Sequence, residues 1–232
     1  MLTDYRIETL GGTFVRPKLL SQFAPPGMLQ DTVEQSFLGC PEYLLNAIQY
    51  FSHQRDAIEC LEILENIPGH HIQDVTAVHN SIQNFDCYLW ASSLPQHSPT
   101  RDVHRLCALS QTYKLGALIY SQRVLDALTT KTTPQDGLIH ELLGVIDFLR
   151  DDSFLFKCIL WPMCIAALEC PWPAQRGFLT GCMEKFWRDT KCLNAVNAAR
   201  ILQQYWGWVD GQKETRSWIF NIGSLGGDWL MI

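Results

Sequence analysis

From Pro41 onward the apolar residues of this chain recur at helical spacing, and strict alternation over the length of a strand is hard to find. Pro41, a residue suited to a first helical turn, opens a helix carrying Leu44, Leu45, Ile48 and Phe51. A second follows through Ile58, Leu61 and Leu64 and stops before Pro68-Gly69. A third starts near Asp74, with Val75, Val78, Ile82, Phe85 and Leu89 forming one apolar stripe. The segment 92–100, with Pro95 and Pro99, reads as a loop. A long helix over about 101–128 then turns Val103, Leu106, Tyr113, Ala117, Tyr120, Val124 and Leu128 inward.

Pro134 opens the next helix, which carries Leu138, Leu142, Val145 and Leu149. Ser153 is the expected N-cap of a buried helix over 154–169, with Pro162 expected to kink it by removing a hydrogen bond. Pro171 and Pro173 force a turn before a helix holding Phe178, Cys182 and Phe186; helices over 194–206 and 214–222 complete the pattern. The prediction is an all-α fold of about nine helices, stacked as antiparallel hairpins without a sheet. Residues 1–38, broken by Gly11-Gly12, Pro17 and Pro25-Pro26-Gly27, read as an irregular arm, and 39–232 as one domain.

Composition agrees with a packed chain: 47% apolar and 18% charged among 232 residues excludes intrinsic disorder. The net charge of −6 is unevenly spread, because 21–100 holds nine acids and Arg55 as its one base. The densest basic stretch, Lys185, Arg188 and Lys191, is interleaved with Glu184 and Asp189, so no direct nucleic-acid contact is expected. The longest apolar stretch, 154–168, falls short of the roughly 20 residues a bilayer crossing needs, and no membrane association is expected. With no basic, apolar leader pattern in the first residues, the expected location is cytoplasmic, or nuclear for a regulator.

Nine cysteines are scattered, and none makes a pair separated by two residues. Cys158, Cys164 and Cys170, six apart, point to different faces of a helix and read as small buried hydrophobes. His70-His71 with Asp74 reads as exposed loop histidines ahead of a weak metal site, so no metal is assigned. Neither Gly11-Gly12 nor the glycines of 223–227 have dinucleotide or phosphate-loop spacing, so no cofactor is expected. His79, at the edge of the Val75–Ile82 stripe, is the one acid–base nominee, with a hydrogen-bonded boundary histidine as the plainer reading. Tyr113, Tyr120 and Trp161 are the nominated ligand-binding residues, on the reasoning that stacked aromatic-rich hairpins enclose an apolar pocket. Trp161 also reads as core, with an indole N–H in need of a partner.

One ordered set of residues carries a resemblance. It comprises Gly39-Cys40-Pro41, Leu118-Ile119-Tyr120 with Arg123, Leu160-Trp161-Pro162 followed by Ala166, Ala167 and Glu169, then Arg176 and Trp206. Over roughly 36–232 the chain resembles the fungal-specific transcription factor domain, the all-helical regulatory region that follows a binuclear zinc-cluster module in many fungal regulators. Within the shared residues, Glu169 and Arg176 are expected to meet across the proline turn by an ion pair or backbone hydrogen bonds, and Arg123 to pair locally. The departure is the zinc cluster: Cys40 is the one cysteine among the first fifty-nine residues, where such regulators carry six. The resulting expectation is a stand-alone relative in secondary metabolism that binds an apolar small molecule, with cofactor-free cyclase or isomerase chemistry of pericyclase type as its enzymatic form. The alternative is a fragment or DNA-binding-deficient regulator acting through protein contacts, homodimerisation included.

Overall fold

A computed structural model describes residues 40–61, 69–94, 102–211 and 217–221. Among them there are ten helices and no strand: α1 Glu42–Leu61, α2 Gly69–Gln83, α3 Cys87–Ser93, α4 Val103–Thr129, α5 Asp136–Leu149, α6 Ser153–Phe156, α7 Leu160–Glu169, α8 Pro173–Thr190, α9 Leu193–Gly211 and α10 Trp218–Asn221. The all-α expectation holds. Helix α4 is the axis of the fold and packs against α1, α2, α3, α5 and α7, while α9 packs on α7 and α8. Helix α7 is enclosed, with every residue from Leu160 to Leu168 buried.

Several boundaries differ from the periodicity, and each has a local cause. Phe51 and Ile58, expected on two helices, lie on the single α1, because nothing between them breaks the ladder. Ser52, which could have competed with it, instead donates its hydroxyl to Ile48 O one turn back at 3.0 Å. The apolar stripe running to Leu89 is interrupted at Gln83. Asp86 caps a new helix by accepting the Leu89 N–H at 2.9 Å. The new start changes the phase, so Leu89 is 66% exposed, while Phe85 stacks on Tyr43 with centroids 5.7 Å apart.

The buried helix expected over 154–169 is split. Asp152, not Ser153, is the cap of α6, accepting the N–H groups of Phe154 and Leu155. Helix α7 restarts at Leu160, which puts Pro162 in its first turn, where a backbone N–H would have no intrahelical acceptor. Pro162 therefore costs no hydrogen bond and does not kink the helix interior. Met163 makes the first regular bond, to Ile159 O at 3.0 Å. Of the helix expected over 214–222, the described part is α10, and the loop expected over 92–100 lies mostly outside the described residues.

One close approach ties α4 to α7. The Trp161 ring packs against Gly116, where an added Cβ would stand 2.7 Å from the ring's Cζ3. The eight cysteines whose side chains are described are free thiols. No group of three or more metal-ligand side chains gathers among the described residues. The His70 and His71 side chains lie outside them. No described helix is long and apolar enough to cross a membrane.

Candidate functional site

Helix α7 ends at Glu169, and the long α4 carries Arg123 level with that end. The Arg123 guanidinium meets the Glu169 carboxylate as a fork on a fork, Nε to Oε1 at 2.7 Å and Nη2 to Oε2 at 2.6 Å. Its Nη1 donates to Asp126 Oδ2 at 2.8 Å and to Thr133 O at 3.0 Å. Asp126 sits three residues after Arg123 on the same helix face. It also accepts from Gln122 Nε2, the Thr133 hydroxyl and the Thr133 N–H. Glu169 Oε1 takes a further bond from the Trp218 indole N–H at 2.5 Å, which anchors α10.

All three charged side chains are mostly shielded from solvent. Burial works against the Arg123 charge, but its bonds to Glu169 and Asp126 outweigh burial and hold its pKa above the ordinary value. Burial likewise pushes the Asp126 carboxyl up. The bonds from Thr133, Gln122 and Arg123 more than offset that and leave it below the usual range.

Beside this network is a cleft with a cavity volume of about 500 Å³, formed by the ends of α4 and α7, the start of α8, and α9 with α10. Tyr205, Trp206 and Trp218 supply aromatic walls, with Arg123, Asp126 and Glu169 beneath them. Trp206 is held by its indole N–H on Ala167 O at 2.9 Å. Arg176 lines the opening with its guanidinium 5.5 Å from the Trp206 ring centre. It donates Nε to Cys170 O at 2.9 Å and Nη1 to the exposed Asp210 at 2.8 Å. The expected Glu169–Arg176 contact is thus corrected in part. Arg176 does bond backbone across the proline turn, but the ion pair of Glu169 is made with Arg123.

The structure brings three of the four nominated residues together, away from the cleft lining. Tyr113 stacks on Trp161 at 6.0 Å and 5°, and Tyr120 meets Trp161 edge-on at 6.5 Å. Each is at most 1% exposed. The Tyr113 hydroxyl donates to Cys158 O at 2.6 Å and that of Tyr120 to Ser52 Oγ at 3.2 Å. The Trp161 indole N–H is buried with no partner among the described residues. The link from this cluster to the cleft is the stack of Tyr120 on Trp218, 5.9 Å between centroids.

His79 lies apart, between α2 and α4. Its Nδ1 is 2.8 Å from Ser121 Oγ, whose own hydroxyl donates to Leu118 O. Gln83 Nε2 stands 3.3 Å from its Nε2. Those bonds suit a neutral ring with the proton on Nδ1, and burial lowers its pKa. It is not among the cleft residues.

Sequence reasoning did not single out Asp126, Tyr205, Ser217 or Trp218. Only Asp126 left a trace, as a carboxylate three residues from an arginine on one helix face. The others reach the cleft through packing across long sequence separations.

An enclosed helix braced by a shielded arginine–carboxylate pair, beside an aromatic cleft, defines an all-helical domain. The match to a family model is direct: the fungal specific transcription factor domain aligns over residues 15–231, and the chain belongs to that family. No curated protein and no solved structure matches the chain significantly.

Proposed function

We propose that this domain is the small-molecule-sensing part of a transcription-factor-type regulator, with its ligand held in the cleft between α4, α7, α9 and α10. The observation that carries the reading is the cleft itself. Its volume of about 500 Å³ falls in the roughly 300–1,000 Å³ range of small-molecule sites, and its walls are indole and phenol rings. A conjugated product of fungal secondary metabolism suits such walls, and a regulator of this family acts in the nucleus. Because Trp206 and Trp218 line the cleft, an occupant changes tryptophan emission.

The test is a panel of conjugated small molecules, read by tryptophan quenching and thermal shift, on the wild type and on Val209→Trp, which fills the cleft. A binder lost in Val209→Trp supports the reading. Quenching that survives unchanged in the filled variant places binding elsewhere and overturns it.

The enzymatic form, cofactor-free cyclisation or isomerisation, draws less support from the cleft chemistry. Burial pushes the Tyr205 hydroxyl up to about 12, and burial together with Glu169 raises the Cys170 thiol to about 12. Proton transfer near neutral pH favours groups that titrate there. Enclosure of a flexible substrate remains the one catalytic device these walls provide.

A further inference from the structure

The hydrogen-bonding capacity left over in the cleft favours a ligand that accepts. Every carboxylate oxygen lining it is already used. Glu169 Oε1 accepts from Arg123 and Trp218, and Oε2 accepts from Arg123. Asp126 Oδ1 accepts from Gln122 and Thr133, and Oδ2 from Arg123 and Thr133. The groups with capacity left are an ammonium and a guanidinium N–H, which only donate, and two hydroxyls, which donate and accept. The Ser217 hydroxyl oxygen is buried beside the cleft with no partner among the described residues. The Tyr205 hydroxyl and the Lys131 ammonium line the cleft with no hydrogen-bond partner among the described residues. Arg176 engages its Nε and Nη1 and leaves Nη2 unused.

Arg176 is also the one cleft cation held by a weak counter-ion. Its side chain is 13% exposed while that of Asp210 is 61% exposed, an arrangement in which the carboxylate is well solvated and readily replaced. Arg123, in contrast, is held by two shielded carboxylates. The Arg176 guanidinium carbon stands over the Trp206 ring, so a flat ligand lying in the cleft would meet an aromatic wall and a guanidinium together.

We propose that the cleft takes a conjugated carboxylate, its ring system against Trp206 and Trp218 and its carboxylate on Arg176 in place of Asp210. Asp210 is then a built-in competitor: the free domain carries its own carboxylate on the arginine that the ligand's carboxylate takes over. This deepens the ligand-binding reading above and rests on it. Lys131 adds long-range attraction for the same charge, and the Tyr205 and Ser217 hydroxyls serve the remaining oxygen acceptors.

The experiment titrates the full chain by calorimetry with 2-naphthoate, the neutral 2-naphthamide and the cationic 2-naphthylmethylammonium. A carboxylate on a guanidinium should bind about tenfold tighter than the amide, with the ammonium weakest. Asp210→Asn, a change at an exposed position, should tighten naphthoate several-fold and leave the amide unchanged. A purely structural role for Asp210 would not produce that gain. Arg176→Gln should bring naphthoate down to the amide. Equal affinities for the three probes, or no tightening in Asp210→Asn, overturns the carboxylate assignment while leaving the cleft as a binding site. Binding of none of the three overturns both.

Discussion

Helices α4 and α7 meet twice, and the two meetings are built on opposite principles. Around Trp161 the contact is closed: Tyr113 and Tyr120 pack against the indole, Gly116 makes room for it, and all the rings are buried. One to two turns further along, around Glu169, the contact is a charged fork shared with Asp126 and Trp218, and it opens onto a cleft of about 500 Å³. Dispersion and area burial hold the first; directional bonds hold the second. An apolar contact tolerates no empty volume, because a gap forfeits packing energy. A satisfied polar network tolerates a cleft beside it, since each charge keeps its partners whether the cleft is filled or empty. A domain that must stay folded with and without an occupant is served by the second kind of joint.

Breaking each joint in turn distinguishes them. The largest effect is expected from Glu169→Ala, which leaves Arg123 with Asp126 as its one carboxylate partner and frees the Trp218 indole; about 3 kcal/mol of unfolding free energy should be lost in urea titrations. A loss under 1 kcal/mol would mean that the fork is solvated. Next is Gly116→Ala in the closed joint. Its Cβ would meet Trp161 at 2.7 Å, and the ring is stacked on Tyr113, so overpacking should cost about 1–3 kcal/mol. A neutral result would show that the indole has room to slide.

A smaller effect should come from acid. The folded-state pKa of His79 is lowered by burial from 6.5, so the unfolded chain takes up its proton first. Stability should therefore begin to fall as pH drops below about 6.5, and His79→Gln should flatten that part of the profile. Asp126, whose folded pKa is lowered, contributes stability above its ordinary 3.8 that is lost as pH falls through the lower folded value. A profile unchanged by His79→Gln would place the titrating group elsewhere. The smallest stability change, within about 0.5 kcal/mol by denaturation, is expected of Asp210→Asn, because its ion pair is exposed on the carboxylate side. The same variant carries the largest expected gain in ligand affinity, so stability and binding separate at that position.

Much of the helical content was legible, and the misreadings are instructive. The stripe through Tyr113, Tyr120 and Val124 does face the core on α4. The errors fall where a single side chain outranks periodicity. Asp86 caps a new helix inside what reads as continuous apolar spacing, Asp152 takes the capping role expected of Ser153, and Pro162 is harmless because it falls in a first turn. The aromatic residues singled out for ligand binding are adjacent in space, as their shared helix faces suggested. Yet they are buried in the core away from the cleft lining, joined to it through the stack of Tyr120 on Trp218. Arg123 and Glu169 were visible as members of a shared pattern, but their pairing across 46 residues was not.

By itself, then, the chain's spacing of apolar residues determined an all-helical fold, and the ordered residues from Tyr120 to Trp206 determined the family. Both are local or collinear properties, written in the periods of a helix and the order of residues. Tertiary structure alone decided which aromatics became core and which became walls, and which carboxylate took which arginine. Those outcomes depend on where α7 ends relative to α4 and on α9 and α10 closing beside them. Such distances are set by the packing of the whole domain and have no counterpart in sequence separation.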